Sequence, residues 1–167
     1  MTLQRNSVES GKFNGNAYLP FELRLKDFEM AMQDVYDFFY DVNSSLSGKG
    51  LQRLDDMLRP AIMSGILPDM LTASLANHSR VLTENTYFNG HPDLVVRGVY
   101  PDNAVKAGDQ GIEIKATRKS GGGRGYARRP QPAHVRLRVQ CRQYDGTRGE
   151  QIADDIRRNL PRAGNGR

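Results

Sequence analysis

Two short stretches hold residue types that can do chemistry together: Asn89-Gly-His-Pro-Asp93-Leu-Val-Val and, after a turn, Gly111-Ile-Glu113-Ile-Lys115-Ala-Thr117. Side chains of an extended strand alternate between faces, so Glu113 and Lys115 point one way while Ile112, Ile114 and Ala116 point the other. The apolar row can pack against helices, leaving a carboxylate and an ammonium side by side on the opposite face. Asp93 stands at the start of the apolar run Leu94-Val95-Val96, directly after a Gly-His-Pro turn. If strands 93–100 and 111–117 pair, Asp93 approaches Glu113 across a separation of 20 positions. Two carboxylates can hold Mg2+, a hard cation that prefers oxygen ligands and retains several waters. Such an ion neutralises phosphate charge and lowers the pKa of water, and an ammonium at Lys115 can position the attacking water. In this scheme the backbone carbonyl of Ile114 is a further ligand. His91 lies in the turn, where a histidine is more often structural or exposed, and it is left outside the catalytic set.

The order Pro-Asp, then Glu-x-Lys on a strand, resembles the PD-(D/E)XK nucleases, which include many type II restriction endonucleases. The wording HPDLVV…GIEIKATRKSGG is similar to their catalytic segment. The resemblance covers residues 81–122 and is generic over 20–80. It implies a restriction-endonuclease-like α/β (α+β) domain with a mixed sheet flanked by helices. It also implies Mg2+-dependent hydrolysis of double-stranded DNA, with a homodimer in intact relatives. Asp93, Glu113 and Lys115 would be catalytic, with Asp93, Glu113 and the Ile114 carbonyl on the metal. Many members add an acid from an early helix, and Glu22, Glu29 and Glu84 stay open as candidates. Beside this stands the plainer reading, in which Glu113 and Lys115 are a solvated salt-bridge pair and Pro92-Asp93 is turn chemistry.

The elements that must position these residues are read from periodicity and breakers. Residues 1–19 are rich in Gly, Asn and Ser and predict a loose arm. A core over 20–122 follows, with helices in 20–80 and catalytic strands in 81–120. Leu25, Phe28, Met32, Val35, Phe39 and Val42 recur at three- and four-residue steps, predicting an amphipathic helix with Pro20 near its first turn and Asn43, Ser44, Ser45 and Gly48 marking its end. A second helical piece spans roughly 50–59 and is stopped by Pro60, and a third runs from Pro68 to about Arg80. His78 on that helix is expected to be exposed or capping.

Composition excludes several classes. One Cys and three His rule out a disulfide framework and a Cys/His zinc cluster, and fit a reducing cytoplasm. The polar N-terminus has no apolar signal region, and no run approaches the ~20 apolar residues of a membrane span, so a soluble cytoplasmic protein is expected. The net charge of +5 is uneven. Residues 1–120 hold 13 Lys/Arg against 15 Asp/Glu, whereas 121–167 hold 11 Arg, no Lys and 4 acids.

That tail does not read as the rest of a nuclease sheet. Val135, Leu137 and Val139 alternate with Arg136 and Arg138, giving one poor edge strand, and 151–160 suggests a short polar helix; the remainder is expected to be mostly disordered. Gly121-Gly122-Gly123 lacks the Gly-Lys-Ser/Thr order of a phosphate loop. Reading the codons of Tyr126 to Gly146 from their second base permits an apolar run, Met-Cys-Val-Phe-Val-Tyr, of the kind the sheet needs. The expectation is therefore a nuclease whose native frame ends near Gly122, with its catalytic strand left as an exposed edge and its activity impaired. The alternatives are a non-catalytic DNA-binding protein that uses the basic tail on phosphate backbone, and a helical interaction protein.

Overall fold

The computed structural model describes residues 4–13, 15–17, 19–117 and 136–142. Helix α1, Leu25–Gly48, forms where the apolar stripe predicts it. Phe28, Met32 and Val35 are buried, joined by Ala31 and Tyr36, while Leu25, Phe39 and Val42 are half-buried. Its ends differ from expectation. Pro20 is not in the first turn, because Phe21 and Glu22 take φ of 55° and 56°, which breaks the helical path. The start is set instead by Asp27, whose buried carboxylate accepts the Arg24 backbone N–H at 2.9 Å and its guanidinium at 2.6 Å.

The helix also runs through Asn43, Ser44 and Ser45. Asn43 has work there: its Oδ1 accepts the Leu54 N–H and its Nδ2 donates to Asp55, so the one-turn helix α2, Leu54–Met57, hangs from α1. Burial alone would raise the Asp55 carboxyl, but the Arg53 fork and the Asn43 amide outweigh it and hold its pKa below the ordinary value. The predicted helix over 50–59 shrinks to these four residues.

Pro60 and Pro68 exchange roles. Pro60 begins α3, Pro60–His78, rather than stopping a helix, and Pro68 lies inside α3 rather than opening it. A first-turn position does not need the N–H that proline lacks. Inside the helix Pro68 deprives the Ser64 carbonyl of its usual donor, at a turn where Ser64 and Gly65 face solvent. Met63, Leu67, Leu71 and Leu75 line one stripe of α3 and are buried. α1 packs on α3, and α3 packs on the sheet, so that Met32, Leu67, Leu71 and Leu75 meet Leu82, Leu94 and Ile112 in one core. The N-terminal residues expected to be a loose arm lie on α1: Gln33 receives the Val8 N–H and donates to the Asn6 carbonyl, and Arg5 pairs with Asp37 and Asp41.

The sheet runs β1 (Leu82–Glu84), β2 (Leu94–Val96), β3 (Gly111–Thr117), β4 (Arg136–Arg142) in spatial order, every neighbour antiparallel. The chain is thus α+β, with helices on one sheet face. The resemblance implies a mixed sheet, but among the described residues parallel pairing is limited to an isolated His91–Ala107 bridge. β1 was not foreseen as a separate strand. β2 stops short of the predicted 93–100 because Gly98 turns at φ 76° and Pro101–Asn103 forms a 3-10 turn. β4 pairs with β3 from Gly111↔Arg142 to Thr117↔Arg136, so the strand carrying Glu113 and Lys115 is interior and β4 takes the edge. Among the described residues no helix is long and apolar enough to cross a membrane. Expectations for Gly121–Gly123, the 151–160 helix and the disorder of the tail beyond β4 fall outside the described residues.

Close approach of β2 to β3 depends on one missing side chain. A Cβ at Gly111 would lie 2.0 Å from the Leu94 carbonyl oxygen and 2.6 Å from Pro92 Cγ. Because the first obstacle is backbone, it cannot simply swing aside. Gly111→Ala is expected to lose stability on the order of 1–3 kcal/mol or more in chemical denaturation, the usual cost of overpacking. An unchanged midpoint would contradict this packing.

Candidate metal centre on the sheet face

The β2–β3 register places Leu94 opposite Ile112 and Val95 opposite Gly111. Leu94, Ile112 and Ile114 are buried in the core shared with the helices. By alternation Asp93, Glu113 and Lys115 belong to the other face. Asp93 precedes the paired segment, and its Oδ2 accepts the Ile114 N–H at 2.6 Å. A strand residue's N–H and C=O point to the same side, so the Ile114 carbonyl opens toward Asp93 as well.

The turn ahead of Asp93 is fixed by Asn85. Its backbone N–H donates to the Asp93 carbonyl. Its Nδ2 donates to the Pro92 and Val105 carbonyls, and its Oδ1 accepts the Tyr87 and Val105 N–H groups. The amide thus uses both donors and both acceptor sites. Gly90 passes so close that a Cβ would lie 2.4 Å from the Val105 carbonyl and 2.5 Å from Asn85 Nδ2. His91 is then held on both sides, its N–H donating to Lys106 and its carbonyl accepting from Gly108.

This brings His91 to the site. Its Nδ1 lies 3.4 Å from Glu113 Oε2, and Lys115 Nζ lies 4.0 Å from Glu113 Oε1. One ligand atom each from His91, Asp93 and Glu113 lies within 4.8 Å of the others. Glu113 is buried, Asp93 half-buried, and His91 and Lys115 are exposed, so the group is backed by protein and open on one side. The structure therefore brings together Asp93, Glu113 and Lys115, as the alternation and pairing predict. It adds His91, whose only sequence signal is its position immediately before Pro92-Asp93. Asn85 had no such signal.

None of the early acids joins this cluster. Glu22 pairs with Arg80 at 3.7 Å and Glu29 with Lys26 at 3.1 Å. Glu84 stands opposite Leu94, on the helix side of the sheet. His78 is neither free nor a cap: its Nε2 lies 2.8 Å from Asp34 Oδ2, which also accepts the Ser74 hydroxyl, tying α3 to α1.

Burial raises the Asp93 carboxyl above its ordinary pKa. Glu113 pushes the same way, while the Ile114 N–H, His91 and Lys115 pull it back without cancelling the rise. Compared with family models, curated proteins and solved structures, the chain matches none.

A raised carboxyl favours the folded state while it is protonated. Its contribution is full below the unfolded value of about 3.9 and is lost as pH rises through the higher folded pKa. Asp93→Asn keeps an acceptor for Ile114 and removes the charge. In EDTA near neutral pH the variant is expected to melt above wild type, with the gap closing below about pH 4. A variant that melts lower at neutral pH would show that the ionised carboxylate stabilises the metal-free fold.

Proposed function

We propose that the chain is a divalent-metal-dependent endonuclease of the PD-(D/E)XK, restriction-endonuclease-like class, hydrolysing phosphodiester bonds of double-stranded DNA in the cytoplasm. The observation that carries this reading is the shared sheet face, where two carboxylates and an ammonium converge and Glu113 is buried between its neighbours.

The residues divide the work. Asp93 gives Oδ2 to the Ile114 N–H, which sets its orientation, and its other oxygen retains the lone pairs a cation needs. Glu113 supplies a second carboxylate, and the Ile114 carbonyl faces the same gap. Mg2+ is the ion implied for such oxygen ligands, and bound there it would supply charge neutralisation at the phosphate and a more acidic water. Lys115, exposed at the open side, is positioned to hold the attacking water and to donate to a phosphate oxygen as charge develops. Glu113 lies beside it, 4.0 Å from the ammonium, and helps to orient it. If the tail is read out of frame, a further expectation is that this chain's activity is reduced.

Cleavage of mixed plasmid and genomic DNA with Mg2+ tests this. Lys115→Ala and Asp93→Ala should each lower the rate by about 10²-fold or more, as loss of a transition-state donor or a ligand does. Cleavage that survives both substitutions sinks the assignment. If folded wild type does not cut, the same assay is run with the shifted frame restored. Cleavage there places the defect in the C-terminal segment, and continued silence overturns the nuclease reading.

A further inference from the structure

We infer that His91 is a third protein ligand, and that the centre therefore takes a first-row divalent transition ion in preference to Mg2+ or Ca2+. This rests on the metal-dependent reading above and specifies its ion.

Glu113 supplies the first reason. The residue is only 9% exposed, yet the side-chain partners of its carboxylate among the described residues are His91 Nδ1 at 3.4 Å and Lys115 Nζ at 4.0 Å. Both distances exceed the ~2.7–3.2 Å of an N–H···O hydrogen bond. A buried carboxylate without close donors is costly, and an ion between Glu113, Asp93 and His91 removes that cost.

Spacing is the second. Neighbouring ligands around one ion lie about 3.0 Å apart in an octahedral site and about 3.3 Å apart in a tetrahedral one, for bonds near 2.0–2.1 Å. The His91–Glu113 separation of 3.4 Å suits that arrangement better than a direct hydrogen bond. Opposite ligands lie two bond lengths apart, about 4.0–4.2 Å for the same bonds, so within the 4.8 Å limit on the whole group the side chains have only to close by a few tenths of an ångström.

The third is the fixed backbone of the histidine. With its N–H on Lys106 and its carbonyl on Gly108, a small turn of the side chain completes the approach of Nδ1. Coordination through Nδ1 leaves Nε2–H to solvent, and the exposed ring permits this.

Selectivity follows from ligand chemistry. Mg2+ and Ca2+ are hard ions served by oxygen, and Mg2+ gives up water reluctantly. Imidazole nitrogen favours first-row transition ions, among which Mn2+ binds most weakly. Mn2+ is thus the most demanding probe: if it outcompetes Mg2+, later members of the series should as well.

The experiment is calorimetric titration of the metal-stripped full chain with Mn2+ and with Mg2+, joined to electron spin-echo spectroscopy of bound Mn2+. Wild type should bind Mn2+ at least about tenfold more tightly than Mg2+ and show modulation from a directly coordinated imidazole nitrogen. His91→Ala should weaken Mn2+ by about tenfold or more, leave Mg2+ nearly unchanged and abolish the nitrogen signal. Asp93→Ala should weaken both ions. Mn2+ binding indifferent to His91, or no nitrogen signal in wild type, overturns the inference and leaves the carboxylate site standing. Failure of wild type to bind either ion overturns both. The wild-type spectrum does not depend on whether the variant folds.

Discussion

The Ile114 amide does not go to a strand on its β2 side; it donates to the Asp93 carboxylate at 2.6 Å. A buried amide must find an acceptor, and β2 is paired only as far back as Leu94 opposite Ile112. The Asp93 side chain continues the ladder where the backbone has left it. One hydrogen bond thereby satisfies the sheet and aims a carboxylate at Glu113. It in turn requires the tight β2–β3 approach that Gly111 permits, and the turn that Asn85 holds.

The two faces of β3 are held to opposite standards. Ile112 and Ile114 close the core against the Leu67–Leu71–Leu75 stripe of α3, with α1 behind it. The other face buries Glu113 and half-buries Asp93. Burial raises the Asp93 carboxyl, and Glu113 adds to the rise. Titratable groups perturbed by desolvation and by a like-charged neighbour concentrate where a protein does chemistry. Here the cost is local, while stability is supplied by the helical layer, the Asn43–Asp55 tether and the N-terminal residues docked on α1.

What could be read in the sequence was whatever depends on a short period. The two-residue alternation separates Glu113 and Lys115 from Ile112 and Ile114 without any knowledge of the rest of the chain, and the α1 stripe is equally local. Proline misled because the same residue stops one helix and starts another. Pro60 has no N–H to lose at a first turn, and Pro68 falls where solvent reaches the Ser64 carbonyl. β1 is too short to show a period. His91 escaped because the direction of a turn side chain is set by distant contacts, here Asn85 with Val105 and His91 with Lys106. The early acids stayed open for a related reason: helix and strand positions alone do not tell which face of the sheet each one reaches.

Anomalous diffraction from crystals of the full chain equilibrated with Mn2+ addresses the metal centre most directly. The expected result is an anomalous peak within coordination distance of Asp93, Glu113 and His91 Nδ1, with the Asp93–Ile114 hydrogen bond intact. A peak elsewhere on the molecule, with Glu113 still turned only toward His91 and Lys115, would contradict a metal centre on this face.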